Sequence, residues 1–534
     1  MKPISLLVAL FVAIVFAATA HALDEQAAAG LGAEDVGARL EAINALVATG
    51  DEAALALLQA MQDGELNVTP SGRVVIVRDG KILNAITMAT LEPVPEEIDS
   101  IVVNNRIRGA LETAIGALKL FSPDRAVRLA SAKAIESTSQ TALLPLIEKA
   151  IAKESDRGIR ESLQQTKAAL DLKSSDPGVR LAAVTMLAQS KQGQVKNLLL
   201  ALLEKDASGI YFEPDENVRA AAERSVDSIR YRLLISDYLA RLFTGLSLGS
   251  ILLLVALGLA ITYGLLGVIN MAHGEMLMIG AYATFVTQQL FKSYAPGLFD
   301  WYLVAAIPVA FAASALVGMV LERTVIRWLY GRPLETLLAT WGISLFLIQS
   351  VRQIFGAQNV EVANPTWMSG GVELGNMVLP YNRIVIIAFS MFVLLMMWLM
   401  LSRTRLGLFV RGVTQNRMMA SCVGVHTARV DLMAFGLGSG VAGLAGCALS
   451  QIGNVGPDLG QSYIIDSFMV VVLGGVGQLA GTVYAALGLG VLSKFLEPHI
   501  GAVLTKILVL VLIIAFIQRR PQGLFALKGR AVEA

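Results

Sequence analysis

Apolar residues follow two different rhythms along this chain. From residue 241 onward they run in long blocks, at 245–264, 270–290, 301–321, 335–355, 383–402 and 430–452. Each block holds about 20 residues, enough for a helix to cross the hydrocarbon of a bilayer. A further stretch, 466–517, is apolar but interrupted by glycines and by Glu497-Pro498-His499. About eight spanning helices are predicted, with this last region cut into shorter pieces. Before residue 240 the rhythm is that of amphipathic helices, with apolar positions at helical spacing through 24–62 and 105–235. Between those segments, Val74-Val75-Ile76-Val77, Asp79-Gly80 and Ile82-Leu83 predict a small β-hairpin with an Asp-Gly turn. Glu92-Pro93-Val94-Pro95 then stops any helix.

One short motif recurs in the amphipathic half: Asp-x-x-(Val/Ile)-Arg, at Asp124–Val127–Arg128, Asp156–Ile159–Arg160, Asp176–Val179–Arg180 and Asp215–Val218–Arg219. Each Asp stands where its carboxylate can cap a helix N-terminus, and each Val or Ile is expected in a shared core. The Arg, four residues on, can pair with that Asp or with the Asp of a neighbouring copy. The pattern resembles the second helices of HEAT-type repeats, spaced irregularly at 32, 20 and 39 residues.

Charge divides the chain at the same place. Residues 1–240 hold 25 Lys+Arg against 31 Asp+Glu, whereas 241–534 hold 18 against 11. An acidic soluble half argues against a nucleic-acid partner, which requires a basic footprint. The two cysteines, Cys422 and Cys447, both lie in the apolar half, so no disulfide framework supports the first half. At the start, Lys2, the apolar run Ile4 to Phe16 and the Ala20-x-Ala22 spacing form the layout of a signal peptide over residues 1–22. Cleaved or retained, it would send the following segment out of the cytoplasm. Cations cluster at Arg323, Arg327 and Arg332, at Arg403, Arg405, Arg411, Arg417 and Arg429, and at Arg519, Arg520, Lys528 and Arg530. The bias of such cations toward the cytoplasm also places the segment before residue 241 outside. An odd number of crossings after residue 465, such as 466–479, 481–496 and 500–517, returns the C-terminus to the cytoplasm.

Specific residues carry a family resemblance. They are Gly245-Leu246-Ser247-Leu248-Gly249-Ser250, Asn270-Met271-Ala272-His273-Gly274-Glu275, Leu321-Glu322-Arg323, Thr404-Arg405-Leu406-Gly407, Val472-Leu473-Gly474-Gly475-Val476-Gly477 and Arg520-Pro521-Gln522-Gly523-Leu524. Together they resemble the branched-chain amino acid permease family of ATP-binding-cassette (ABC) importers over essentially all of 241–530. Within that family, the exported repeat extension is similar to the architecture of the urea importer's first permease subunit. The resemblance implies an all-α protein: a polytopic transmembrane helical permease at 241–530 of about 8 spans. A soluble, periplasmic α-helical HEAT-like repeat domain with a small β-hairpin would precede it at 23–235. It further implies an inner-membrane transport subunit, not an enzyme, that binds no cofactor. ATP would be used by two cytoplasmic ATPase subunits, beside a second homologous permease subunit and a periplasmic substrate-binding protein. A branched-chain amino acid or short-chain amide is the alternative substrate to urea. A passive urea channel or a membrane-anchored scaffold would need neither the long basic loop nor so many glycine-rich spans.

Two groups of candidate residues follow. In the loop 403–429, Arg405, Gly407, Arg411, Arg417, Ala420 and Gly424 resemble a coupling element, with a short helix ended by Gly424. A pathway or gate is expected among Asn270, His273, Glu275, Gln349 and Asn454, with Ser450 a further polar group. Glu275 is the most informative, since a carboxylate inside a span needs a partner, and His273 and Asn270 are the nearest in sequence. Its alternative role is a structural, hydrogen-bonded lock between the first two spans at the cytoplasmic face. His-x-Glu lacks the i,i+4 histidine spacing of a zinc-protease helix, so no metal is expected. Glycines at 436, 440, 443 and 446 and at 474, 475, 477 and 481 predict close helix packing.

Overall fold

A computed structural model describes residues 25–525 apart from 50–51, 71, 79–80, 87–88, 92–97, 137–139, 191–192 and 375. The signal segment, the Asp79-Gly80 turn, the Glu92–Pro95 stop, Lys528 and Arg530 lie outside the described residues. The chain divides into two compact units, residues 1–232 and 233–534.

The first unit opens with α1 (Glu25–Gly30), α2 (Val36–Thr49) and α3 (Glu52–Gln62). A sheet follows, made of β1 (Leu66–Val68), β2 (Val74–Arg78), β3 (Lys81–Asn84) and β4 (Asp99–Ser100), in the order β3-β2-β1-β4. The expected hairpin is therefore present as β2–β3, pairing Arg78 with Lys81, but inside a four-stranded antiparallel sheet. Then come α4 (Asn105–Leu118), α5 (Arg125–Ile135), α6 (Leu144–Lys153), α7 (Arg157–Asp171), α8 (Pro177–Leu187), α9 (Gln194–Leu202) and the first turns of α10 (Glu216–Leu266).

All four motif aspartates cap helices. Asp124 accepts from the Ala126 amide, Asp156 from Ile159, Asp176 from Gly178, and Asp215 from Asn217 and Val218. Ile159 and Val218 are buried, whereas Val127 is half-buried and Val179 is exposed. The arginines differ from expectation. A helical side chain leans toward its own N-terminus, so Arg128, Arg180 and Arg219 each reach back to loop carbonyls five and six residues earlier. The remaining donors of Arg128 and Arg180 take a glutamate, not an aspartate. Arg128 binds Glu154 at 2.8 Å, and Arg180 holds Glu213 at 2.8 and 2.7 Å. Each glutamate stands two residues before the next capping Asp and accepts that Asp's amide as well. Ser122 and Ser174 fill the same place in the other two copies. The modules thus alternate between a serine type and a glutamate type.

Burial pushes the Glu213 carboxyl up, but the Arg180 guanidinium and the Asp215 amide outweigh it and hold the group below its usual range. A depressed carboxylate contributes stability that is present above its unfolded pKa of about 4.3 and is lost as pH falls through the lower folded value. Glu213→Gln leaves Arg180 buried without a counter-charge, a loss on the order of 3 kcal/mol. At pH 7, amide hydrogen exchange over 174–230 should therefore accelerate in the variant. At pH values below the folded pKa of Glu213 the variant and the parent chain should converge, and equal rates at pH 7 would show the pair to be unimportant.

The second unit is a helical bundle. It contains the rest of α10, α11 (His273–Tyr294), α12 (Tyr302–Thr324), α13 (Pro333–Phe355) and the hairpin β5 (Gly371–Leu374) and β6 (Met377–Pro380). Then come α14 (Tyr381–Arg403), α15 (Arg405–Gln415), α16 (Arg417–Cys422), α17 (Thr427–Leu449), α18 (Leu459–Gly474), α19 (Leu479–Ile500) and α20 (Ala502–Arg519). Residues 236–241 lie inside α10. Among the described residues, seven helices are long and apolar enough to cross a membrane. Two predicted spans fall outside that set. The helix α11 has 22 residues but carries His273, Glu275, Thr284, Thr287 and Gln288, and α18 has 16 residues. The region after 465 is cut at Gly475 and Gly501, both in the left-handed conformation (φ 101° and 82°), while Pro498 is accommodated in the last turn of α19.

The centre is α11, α12 and α17 packed on one another. Every residue of α17 from Ala434 to Leu449 is buried except Leu437. Gly446 lies directly on the Leu277 carbonyl, and Gly443 faces Ala310, Ser314 and Gly280. Close helix approach is therefore what these glycines provide.

Candidate functional site

At residue 266 the chain leaves α10, turns through 267–272 and starts α11 deep in the bundle. His273, fully buried, reaches back through Nε2 to the Val255 carbonyl at 3.2 Å, well short of the end of α10. The side-chain contact that His273 makes between the first two spans therefore lies in the interior, not at the cytoplasmic face. Glu275 follows in the first turn of α11, 1% exposed. Its Oε1 accepts a hydrogen bond from Ser344 Oγ on α13, so its partner is neither His273 nor Asn270. Asn270 instead caps the turn, its Oδ1 accepting from the Ala272 amide at 3.0 Å.

The remaining oxygen, Glu275 Oε2, has no hydrogen-bond partner and lies against Gly460 in the first turn of α18. A Cβ on Gly460 would occupy the place of that oxygen. Gly274 and Gly460 bring the backbones together at the same point, where a Cβ on Gly274 would come within 2.6 Å of the Gly460 carbonyl. Two helix N-termini, those of α11 and α18, therefore converge on one buried carboxylate. Their aligned peptide dipoles are positive there and offset part of the desolvation of an anion. Helices that begin inside a bundle with N-termini facing a polar group are the arrangement that transport sites use.

A polar seam continues from this point along α13. Thr336, Thr340 and Ser344, spaced by four residues, are buried on an otherwise largely exposed helix. Thr340 Oγ1 accepts from the Met271 amide at 3.2 Å, one turn from the Ser344–Glu275 contact. Further along, Tyr282 packs on Phe355, and Arg352 pairs with Asp458, the residue just before α18. Only three of the five pathway candidates come together: Asn270, His273 and Glu275. Gln349 is on an exposed face of α13, and Asn454 is exposed beside Val455. Val455 pairs with Val360, in the connection that Gln288 and Tyr302 hold through the Ala363 carbonyl. Ser450 is buried, its Oγ donating to the Cys447 carbonyl. Sequence reasoning missed Thr340 and Ser344, although three hydroxyls at four-residue spacing in an apolar helix were a usable signal.

The basic loop forms two helices. Thr404 caps α15 through the Gly407 amide, and Gly407 lies so close to Leu401 that a Cβ would meet its backbone. Arg411 donates back to the Leu401 carbonyl, so α15 is folded onto the end of α14. The next helix, α16, ends as expected: Gly424 is left-handed (φ 87°), and the Val425 amide donates to the Ala420 carbonyl at 3.0 Å. Ala420 is buried, whereas Arg405, Leu408, Phe409, Met418, Met419 and Val423 are exposed. Arg417 anchors the element. It pairs with Asp431, 1% exposed in α17, through both carboxylate oxygens, and lies 5.0 Å from the centre of the Tyr330 ring. The Tyr330 hydroxyl donates to buried Glu322 on α12 at 3.1 Å. One guanidinium thus joins the exposed helix α16 to α17 and, through Tyr330, to α12.

A bundle with helices broken around a buried polar centre, and a basic two-helix element fixed to its core, defines a membrane transport subunit. Residues 241–517, just over half of the chain, match the family described as the branched-chain amino acid transport system permease component, and the chain belongs to that family. It is similar to the high-affinity branched-chain amino acid transport system permease protein BraD of Pseudomonas aeruginosa, 30% identical over 297 residues, which are 54% of this chain and 96% of the relative. It is also similar to the corresponding permease protein LivH of Salmonella typhimurium, 30% identical over 294 residues, 54% of this chain and 95% of that one. A shorter match, 30% identity over 173 residues, relates it to the fructose import permease protein FrcC of Rhizobium meliloti, covering 30% and 47% of the two chains. No solved structure matches the chain.

Proposed function

We propose that this permease carries branched-chain amino acids or closely related small solutes into the cell as one subunit of an ATP-driven importer. The observation that carries the substrate reading is the 30% identity over nearly the whole length of BraD and LivH, whose names state that substrate. Urea is the second reading. It is favoured by the first 240 residues, which fall outside the family match and have the arrangement expected of a urea importer's first permease subunit. The buried polar groups near Glu275 suit a net-neutral solute of either kind.

In this reading a homologous permease subunit completes the pore, and a substrate-binding protein delivers solute from outside. Two ATPase subunits dock on α15 and α16, where Met418, Met419 and Val423 give apolar contact beside the arginines. The three cationic groups then face the cytoplasm and the first unit faces outward. Cells expressing the complete transporter should accumulate labelled leucine in an ATP-dependent way, with excess urea without effect. Competition by urea and not by leucine would move the assignment to the second reading. Reporter fusions after residue 150 should be active outside the cytoplasm and fusions after residue 415 inside it, and the reverse pattern would overturn the orientation.

A further inference from the structure

A cavity of about 220 Å³ lies between α10, α18, α19 and α20, separate from the Glu275 centre. Its walls are of two kinds. Leu248, Leu252, Met469, Leu489 and Val509 form an apolar side. Facing into the same space are two ion pairs, Asp466–Lys506 at 3.2 Å and Lys494–Glu497 at 2.6 Å. Lys506 also donates to the Ser462 carbonyl at 3.3 Å, two residues from Gly460 and hence from the break at Glu275. The helix α18 therefore connects the cavity to the polar centre.

Charged pairs are costly to place among apolar helices unless they serve a polar partner or pathway. The Asp466–Lys506 pair is also asymmetric in access, with the Asp466 side chain 18% exposed and that of Lys506 59% exposed. Lys506 is thus the more open member of the pair, and a solute reaching the pair from outside meets it first.

We propose that this cavity is an entry site for a small, net-neutral solute that presents N–H donors at one end and an oxygen acceptor at the other. Asp466 accepts the donors and Lys506 donates to the oxygen, so the solute replaces their mutual contact group for group. An α-ammonium and α-carboxylate fit this description, and so do the amide nitrogens and carbonyl of urea. The five apolar walls favour a solute with a branched side chain. This inference rests on the importer reading above and names the residues that would first receive its substrate.

The test measures uptake of labelled leucine and of labelled urea by the complete transporter. Asp466→Asn and Lys506→Gln should each raise the half-saturation concentration for the transported solute at least tenfold, with maximal rate and complex yield little changed. Ser493→Leu, which narrows the cavity without touching a charge, should block uptake of leucine; were urea the transported solute it would still pass, so the two solutes are told apart. If leucine or urea is transported but half-saturation is unmoved in the charge variants, the entry site is wrong and the importer reading stands. A fall in maximal rate alone would mean that the pair is only structural and would likewise overturn the site. Transport of neither solute by the parent protein would remove the substrate reading and this site with it.

Discussion

Arg417→Glu should abolish ATP-dependent uptake while the permease still reaches the membrane. The substitution sets a carboxylate against buried Asp431 and removes the cation over Tyr330, so α16 loses its tie to α17 and to Glu322 on α12. Separating a largely buried charge from its partner costs about 3–5 kcal/mol when one member is removed, although the partly exposed Arg417 side chain reduces that here. The expected result is at least a hundredfold fall in uptake, with hydrolysis by the ATPase subunits no longer responding to substrate. Exchanging the two residues, Arg417→Asp with Asp431→Arg, should recover part of the coupling because the pair is restored in reverse. Normal substrate-stimulated hydrolysis and uptake in Arg417→Glu would refute the anchoring role.

Gly446→Leu should prevent accumulation of folded permease altogether. A Cβ there would overlap the Leu277 carbonyl oxygen and come 2.8 Å from the Ala281 amide nitrogen, both backbone atoms of the neighbouring helix. Flexible side chains can yield to an added methyl group, but two packed helix backbones cannot do so without separating. Overpacking of an ordinary core already costs about 1–3 kcal/mol, and here the contact joins the most buried helices. Gly488→Leu on α19 is the control, since nothing lies within 4 Å of its Cβ position. Membrane fractions should contain the Gly488 variant at normal levels and less than a tenth of that amount of the Gly446 variant. Equal amounts would mean that the close α11–α17 approach is dispensable.

What could be read in advance followed from local rules. The apolar blocks located α12, α13, α14 and α17 because spanning length is a property of consecutive residues. The four Asp caps were legible because capping links an acid to amides two or three residues away. The left-handed Gly424 was legible for the same reason. The partners of the charged groups were not, since they depend on contacts far apart in sequence. Glu275 meets Ser344 across 69 residues, and Arg180 meets Glu213 across 33. The start of α11 was placed at the membrane face because hydropathy reports composition and not depth. The His273–Val255 contact and the burial of Glu275 reveal that this helix begins in the interior.

The alternation of serine-type and glutamate-type modules constrains how the first unit can change in length. Arg128 needs the glutamate of the following module, and Arg180 needs that of the one after its own. Excising the module of Asp156 would leave the Arg128 guanidinium facing a serine, and excising the module of Asp124 would leave the Glu154 carboxylate without its cation. Removing a serine-type module with its glutamate-type successor leaves every remaining charge matched. Natural or engineered variants of this unit should therefore gain and lose helices in matched pairs, and the chain's copies at 124–160 and 176–219 are two such increments.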